Sequence, residues 1–233
     1  MIPRVCVSIP ASNLKDLGYM IRKAERLGAD LVEVRLDFMN MEEAFSLKTL
    51  EEIVKQANIP LIATNRQHTQ GGWKYQDENY RIGTLISAAQ IGFQYVDVDL
   101  TSENIHDAVQ KIKDAGAACI ISHHDYERTP EENEMEEILR SQIEAGADVC
   151  KLITTANNLS DNIRCLDLTK KFSRKFKIVC FAMGRKGIVS RLLSPIYGAL
   201  FTYASLQVGL ETAPGQIDIV EIRNLYAKLG VLE

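Results

Sequence analysis

The amino-acid sequence predicts an α/β protein, a (β/α)8 TIM barrel that forms one domain over residues 1–233. Three observations predict it: a helix-like stretch followed by glycine and a short apolar strand recurs, about eight strands can be marked out, and charged residues collect at strand ends. Strands that alternate with helices pair in parallel, and eight of them in one chain favour a closed barrel.

Four copies of the repeated unit show the pattern most clearly. Each begins with a glycine just past a predicted helix, where a left-handed backbone is favoured, and continues into a run rich in β-branched residues. These runs are 28–37, 92–99, 116–122 and 146–153, and the other strands are predicted at 5–9, 60–64, 177–183 and 200–206. An open doubly wound sheet is the alternative, but the sequence lacks the GxGxxG fingerprint that would support it.

The amino-acid composition indicates which partners and which cellular location to expect. The 233 residues are 46% hydrophobic and carry a net charge of −4, so no basic face indicates nucleic acid. The five cysteines are scattered without a CxxC pair, which favours reduced thiols in a cytosolic protein. A strand-like run begins by Val5, and the longest apolar stretches are too short to cross a bilayer. We therefore expect a cytoplasmic protein that binds neither nucleic acid nor a membrane.

Charged residues occupy strand positions that would ordinarily be apolar. In one strand three of them share a face at i, i+2, i+4 spacing, and others follow or interrupt four further strands. One buried charge could be a structural ion pair, but a charge in a strand is costly unless it is paired or functional. Their repetition at the same end predicts a polar cavity at the barrel rim. The residues are Glu33, Arg35, Asp37, Arg66, Asp97, Asp99, His124, Asp125 and Lys151.

Lys151 and His124 are the candidates for chemistry. A lysine with apolar neighbours and cations nearby loses its proton more easily and attacks carbonyl groups. The alternative for Lys151 is a structural salt bridge to Asp97 or Asp99. Imidazole exchanges protons near neutral pH, which suits His124 to acid–base work. The adjacent His123 points the opposite way along the strand and is interpreted as structural.

Several motifs occur in a fixed order along the chain. They are Glu33-Val-Arg-Leu-Asp37, Thr64-Asn-Arg66, Ser122-His-His-Asp125, Lys151, Met183-Gly184, Ser190-Arg191 and Ala213-Pro-Gly-Gln216. No single motif is specific, but the ordered set covers nearly the whole chain and places His and Lys on successive strand ends. Together the motifs resemble the type I 3-dehydroquinate dehydratases of the shikimate pathway.

The resemblance implies a homodimeric hydro-lyase of chorismate and aromatic amino acid biosynthesis that needs no metal or cofactor. Lys151 would form an imine with the ketone of 3-dehydroquinate, and His124 would move protons in a syn elimination of water that gives 3-dehydroshikimate. Arg191 and Gln216 resemble a carboxylate clamp. The other residues assigned to substrate binding are Ser8, Glu33, Arg35, Arg66 and Thr212, and Met183, Tyr126 and Tyr203 would line the pocket.

One position departs from the family pattern. Family members often carry Glu before the Gly-Gly pair of the loop after the third strand, where this chain has Gln70. That glutamate is thought to tune the catalytic histidine, and Asp97 or Asp125 could substitute for it. Two other functions stay open at this stage: a Schiff-base aldolase of sugar phosphates, and an inactive barrel that acts as a binding module. Loss of Lys or His would indicate the second, and both are present.

Overall fold

The structure is a computed structural model and describes residues 2–40 and 46–231. Eight strands alternate with eight α-helices along the chain. The strands are β1 Val5–Ile9, β2 Leu31–Arg35, β3 Leu61–Thr64, β4 Tyr95–Asp99, β5 Ala118–His124, β6 Val149–Thr155, β7 Ile178–Met183 and β8 Thr202–Ser205. The helices are α1 Leu14–Arg26, α2 Leu47–Gln56, α3 Glu78–Gln90, α4 Ile105–Asp114, α5 Glu132–Glu144, α6 Asp161–Phe172, α7 Ile188–Leu193 and α8 Ile219–Lys228.

All neighbouring strands pair in parallel, in the order β7-β6-β5-β4-β3-β2-β1-β8. The two end strands approach each other as well, because the backbone N–H of Leu200, just before β8, donates to the carbonyl of Ile178 in β7 at 2.8 Å. The predicted eight-stranded barrel is therefore confirmed, and the open sheet is wrong.

Glycine ends the helix before four of the strands, as the repeated unit predicts. Gly28, Gly92, Gly116 and Gly146 have φ values of 85°, 103°, 92° and 94°. This left-handed region strains residues that carry a Cβ atom, so glycine turns the chain there from helix into strand at little cost. Two strands run further than predicted: β5 continues to His124 and β6 to Thr155.

Inward-facing residues change character along the barrel axis. Near the amino ends of the strands they are apolar and form a buried layer that includes Leu31, Ile62 and Ile120. One pleat further along, the inward positions carry Glu33, Asp97, Lys151 and other polar groups, all of them buried. Because alternate residues of a strand face the same side, each strand contributes first to an apolar floor and then to a polar layer above it.

The helices pack their apolar faces on the outside of the barrel. Val7, Val32 and Ala63 point outward from the strands and join helix residues such as Leu17 and Leu85 in one buried cluster. Side chains of Asn13, Ser46, Asp77 and Asp218 accept backbone N–H groups at the starts of α1, α2, α3 and α8, as N-cap residues do. Within residues 2–40 and 46–231, no helix is both long enough and apolar enough to cross a membrane.

Candidate active site

A cavity of ≈ 430 Å³ lies at the carboxyl-terminal end of the strands. Eight of the nine residues to which the sequence assigns catalysis or substrate binding line it, together with Met183, Tyr126 and Tyr203. The exception is Ser8, which is fully buried behind the cavity wall. Those eight residues are Glu33, Arg35, Arg66, His124, Lys151, Arg191, Thr212 and Gln216.

Lys151 extends from the middle of β6 into the polar layer and is only 4% exposed. Its Nζ atom donates to Asp97 Oδ2 at 2.7 Å, to the Tyr203 hydroxyl at 3.1 Å and to Glu33 Oε1 at 3.4 Å. The salt bridge that the sequence offered as an alternative therefore forms, with Asp97 rather than Asp99. The groups nearest to Nζ are these two carboxylates, and the expected neighbouring cation is Arg66, which donates to the same Asp97 oxygen.

Asp97 is shared between two cations. Its carboxylate accepts from Arg66 Nη2 at 2.9 Å and from the Ser122 hydroxyl at 2.6 Å, as well as from Lys151. Burial alone would raise the pKa of Asp97, but Arg66 and Lys151 outweigh burial and hold that pKa far below its usual range. Arg66 is fixed further by Asp99. Asp97 therefore stays charged and anchors both side chains.

Glu33 is surrounded mostly by hydroxyl groups. Ser8 donates to its Oε2 at 2.5 Å and Thr64 to its Oε1 at 2.9 Å, and Tyr203 approaches Oε1 at 3.2 Å. Burial would raise the pKa of Glu33, but Lys151 and Arg35 lower it on balance. Ser8 thus acts on the site through Glu33, while Glu33 itself borders the cavity.

Arg35 is held by Asp37 on the next turn of the chain. Two hydrogen bonds join the groups, from Nε to Oδ1 at 2.9 Å and from Nη2 to Oδ2 at 2.7 Å, and the guanidinium lies 4.9 Å from the ring centre of Phe38. Such a fork fixes orientation as well as charge. One edge of Arg35 still faces the cavity.

His124 is the last residue of β5, and its ring borders the cavity against Tyr126, with ring centres 6.2 Å apart. Its Nδ1 atom has no hydrogen-bond partner among the described residues. Burial lowers the pKa of His124 well below its ordinary value, and the cations Arg66 and Lys151 lower it further. The imidazole is therefore neutral at pH 7 and can accept a proton.

Gln70 fixes the backbone of the catalytic candidate instead of its ring. Its Oε1 accepts the backbone N–H of His124 at 2.8 Å, and the Tyr126 hydroxyl donates to the Gln70 carbonyl at 3.1 Å. Neither suggested substitute for a glutamate reaches the ring: Asp125 accepts the N–H groups of Glu127 and Arg128, and Asp97 is engaged with the cations already described. His123 lies outside the cavity lining, as predicted.

Arg191 is a buried cation that no acid neutralises within the described part of the chain. It is 1% exposed, its guanidinium lies 4.4 Å from the ring centre of Phe181, and Nη2 donates to the Pro214 carbonyl at 3.1 Å. Its Nε atom has no hydrogen-bond partner in residues 2–40 and 46–231. Burial lowers the pKa of Arg191 to about 9, which leaves it charged at pH 7. An unneutralised buried cation at a cavity wall favours an anionic ligand.

The loop after β8 brings Thr212 and Gln216 to the cavity. Gln216 Oε1 accepts the backbone N–H of Thr212 at 2.7 Å, and the Thr212 hydroxyl donates to Ser8 at 2.9 Å. These bonds tie the loop to β1. Gln216 Nε2 also donates to the Thr212 hydroxyl at 3.3 Å, which leaves its second amide N–H group for a ligand in the cavity.

Arg81 is the buried residue that sequence reasoning missed. From α3 it donates to Asp99 Oδ2 at 3.1 Å and to the Ser102 hydroxyl at 2.6 Å, so that Asp99 is clamped between Arg66 and Arg81. A signal was present, because Arg81 stands at a buried position of the helix face that also carries Leu85 and Ala88. Among the described residues, no group of three or more His, Cys, Asp or Glu side chains is placed to hold a metal ion.

Comparisons with known proteins agree with this geometry. A family model described as Type I 3-dehydroquinase matches residues 5–233. A 3-dehydroquinate dehydratase from Dehalococcoides mccartyi is 35% identical over 210 residues, which cover 90% of each chain. The solved structure of the type I 3-dehydroquinate dehydratase from Clostridium difficile has a TM-score of 0.86 at 26% identity, over 100% of this chain and 94% of that one. The solved structure of the 3-dehydroquinate dehydratase from Aquifex aeolicus has a TM-score of 0.78 at 28% identity, over 97% of this chain and 98% of that one.

Proposed function

The chain belongs to the type I 3-dehydroquinase family, and we propose that its 233 residues form one catalytic domain in which Lys151 binds 3-dehydroquinate as an imine and His124 moves the protons. The reaction is that of a hydro-lyase, the conversion of 3-dehydroquinate to 3-dehydroshikimate and water in the shikimate pathway.

One observation carries the assignment of roles. The primary amine of Lys151, the imidazole of His124 and the guanidinium of Arg191 face the same cavity. Among the residues that the structure describes, Nδ1 of the imidazole has no hydrogen-bond partner and the guanidinium has no acidic partner. The substrate offers a ketone, an acidic C–H bond and a carboxylate. Each of these three groups therefore meets a protein group of matching chemistry.

Binding begins with the carboxylate. Arg191 provides the charge that a buried carboxylate needs, and its planar fork fixes the orientation of the substrate. Gln216 supplies a neutral hydrogen bond from the loop after β8. Glu33, Arg35 and Arg66 lie elsewhere in the lining, and we assign them to the ring hydroxyls.

Imine formation requires the amine of Lys151 in its neutral form. The ammonium first gives up a proton, the amine attacks the ketone carbon, and water leaves as the carbon–nitrogen double bond forms. The protonated imine withdraws electrons from the ring. The adjacent C–H bond becomes acidic enough for a neutral imidazole to take its proton.

His124 then serves twice. As a neutral base it removes that proton, and as the resulting imidazolium it donates a proton to the departing hydroxyl, which leaves as water from the same face. Hydrolysis of the imine releases 3-dehydroshikimate and restores the lysine. The lowered pKa of His124 keeps the imidazole neutral before the first step and makes the imidazolium a stronger acid in the second.

The two other functions are set aside. A sugar-phosphate aldolase would also use a lysine imine, but the family match over residues 5–233 is to dehydratases. An inactive binding module is disfavoured because both Lys151 and His124 reach the cavity. That the protein is cytoplasmic and forms a homodimer stays a prediction. Light scattering of the purified protein would test the homodimer.

A turnover assay tests the function. The protein is incubated with 3-dehydroquinate while the enone absorbance of 3-dehydroshikimate is followed, with Lys151→Met and Lys186→Met as a matched pair. Lys186 is an exposed lysine outside the cavity lining. We expect product from the wild type and from Lys186→Met, and none from Lys151→Met. Failure of the wild type to form product would refute the proposed function.

A further inference from the structure

The hydroxyl group of Tyr203 lies between the amine of Lys151 and the carboxylate of Glu33. It is 3.1 Å from Lys151 Nζ and 3.2 Å from Glu33 Oε1, whereas the direct separation of Nζ and Oε1 is 3.4 Å. The hydroxyl can accept from the ammonium and donate to the carboxylate at the same time. The reaction steps described above give this group no task.

We propose that the Tyr203 hydroxyl relays the proton from the Lys151 ammonium to Glu33 before the amine attacks the ketone. An N–H bond of Lys151 breaks as its proton joins the tyrosine oxygen, and the original phenolic proton passes to Glu33 Oε1. The products are a neutral amine, an intact phenol and a neutral carboxylic acid. The net charge of the group is unchanged, and the reverse transfer restores the ammonium after hydrolysis. The inference rests on the proposed imine at Lys151.

Glu33 is a better destination for the proton than Asp97, although Asp97 is closer to Lys151. Asp97 accepts a charged hydrogen bond from Arg66, which stabilises its ionised form, and protonation would weaken that pair. The other donors to Glu33 are the hydroxyl groups of Ser8 and Thr64. Neutral donors stabilise a carboxylate less than a guanidinium does, so protonation of Glu33 costs less.

The tyrosine is held where the relay needs it. It is 4% exposed, and its ring packs edge-on against Phe201 with ring centres 5.4 Å apart. Burial raises the pKa of Tyr203 well above its ordinary value, and the charge of Glu33 raises it further, so the phenol keeps a proton to pass on. The titratable and charged groups that face the hydroxyl from the surrounding elements are Glu33, Asp97, Lys151, Arg66 and Cys6.

The test compares Tyr203→Phe with Tyr226→Phe. Both substitutions remove one hydroxyl from a buried tyrosine, and the Tyr226 hydroxyl donates to the Leu192 carbonyl on the outside of the barrel. Borohydride is added at timed intervals during a single turnover and traps the adduct. The mass of the intact protein then gives the rate of adduct formation, which is measured from about pH 6 to about pH 9. Melting temperatures of both variants are measured alongside.

We expect Tyr203→Phe to form the adduct about 10²-fold more slowly than the wild type at pH 7, the low end of the range for loss of one proton-transfer group. The deficit shrinks as the pH rises, because hydroxide ion from the solvent increasingly replaces the relay as the acceptor of the ammonium proton. Tyr226→Phe keeps the wild-type rate. A wild-type rate in Tyr203→Phe, or a deficit equal at every pH, would show that the hydroxyl serves packing alone and would overturn the relay.

A measurement on the wild type covers the case in which Tyr203→Phe does not fold. A relay moves two protons in one step, so the rate of adduct formation in mixtures of light and heavy water curves with the deuterium fraction. A linear dependence would indicate a single proton and refute the relay. A wild type that traps no adduct would refute the proposed function itself, whereas normal trapping with a linear dependence removes only the role of Tyr203.

Discussion

The side chain of Gln70 holds the backbone of His124, not its imidazole: the amide oxygen accepts the His124 N–H at 2.8 Å. A neutral residue thus fixes the end of β5. Within the described residues no acid is hydrogen-bonded to Nδ1 of His124, and burial, Arg66 and Lys151 lower the pKa of the ring.

The first prediction concerns pH. A general base must be unprotonated to act, and burial and nearby cations lower the pKa of His124 below the ordinary imidazole value of about 6.5. As the pH falls, kcat/KM should therefore stay constant through pH 6.5 and decline only below it. A pH–rate profile on 3-dehydroquinate measures this. A decline centred at or above pH 6.5 would contradict the electrostatic account of the site.

A carboxylate at position 70 should raise the lowered pKa of His124. Gln70→Glu keeps the oxygen that accepts the His124 N–H but adds a negative charge nearby, so we expect the acid limb to move up by about one pH unit. Gln67→Glu is the control, because it adds the same charge to the same loop at a side chain that contacts Thr101. An equal shift in both variants would mean that the effect is not local to His124.

The two adjacent histidines provide a matched pair. His124→Ala should still bind substrate on Lys151 but lose about 10²–10⁴-fold or more in kcat, since one group serves several proton transfers. His123→Ala should keep kcat within a few-fold, because His123 lies outside the cavity lining. Steady-state kinetics with trapping of the adduct distinguish binding from elimination. The reverse ranking would mean that the histidine roles are exchanged.

Replacing Arg191 should raise the stability of the protein and lower its affinity for the substrate. Arg191→Met removes a buried cation that has no acidic partner, so we expect the unliganded protein to gain roughly 0.5–2 kcal/mol in free energy of unfolding. The same change should lower kcat/KM about 30-fold or more, because a substrate carboxylate is left without its partner. Gln216→Ala should lose less.

Urea denaturation and steady-state kinetics check both effects. Arg185→Met is the control, since Arg185 is exposed on the neighbouring loop and should leave stability and kcat/KM nearly unchanged. If Arg191→Met were strongly destabilising and kept normal kinetics, Arg191 would be a structural residue.

Replacing Lys151, in contrast, should lower the stability of the protein. Lys151→Ala leaves Asp97 and Glu33 without the cation that they share, and breaking a buried pair costs about 3–5 kcal/mol. Urea denaturation should show this loss, while Lys186→Ala stays within about 0.5 kcal/mol of the wild type. Unchanged stability in Lys151→Ala would contradict the ion pairs described for the resting site.

The fold could be predicted because its signals are local. A glycine after a helix and a β-branched run can each be recognised from a few consecutive residues, so all eight strands were located. The ends were less certain: β5 continues to His124 because His124 pairs with Ile153 of the neighbouring strand β6. A contact of this kind leaves no trace in the local pattern.

The site was predicted in outline only. That Lys151 and His124 share a rim follows from parallel strands. Which charges become neighbours does not, because Glu33 and Lys151 are 118 residues apart and meet only through the closure of the barrel. The contact of Lys151 with Glu33 was not predicted for that reason. The clamp of Asp99 by Arg81 was missed although α3 shows a charged residue on its buried face.

The imine at Lys151 is the central claim, and one measurement tests it most directly. The protein is incubated with 3-dehydroquinate, reduced with borohydride and digested, and the modified peptide is located by mass spectrometry. The account predicts that the added mass falls on Lys151 and requires both substrate and borohydride. Added mass on another lysine, such as Lys186, or none on a protein that turns over its substrate, would contradict it.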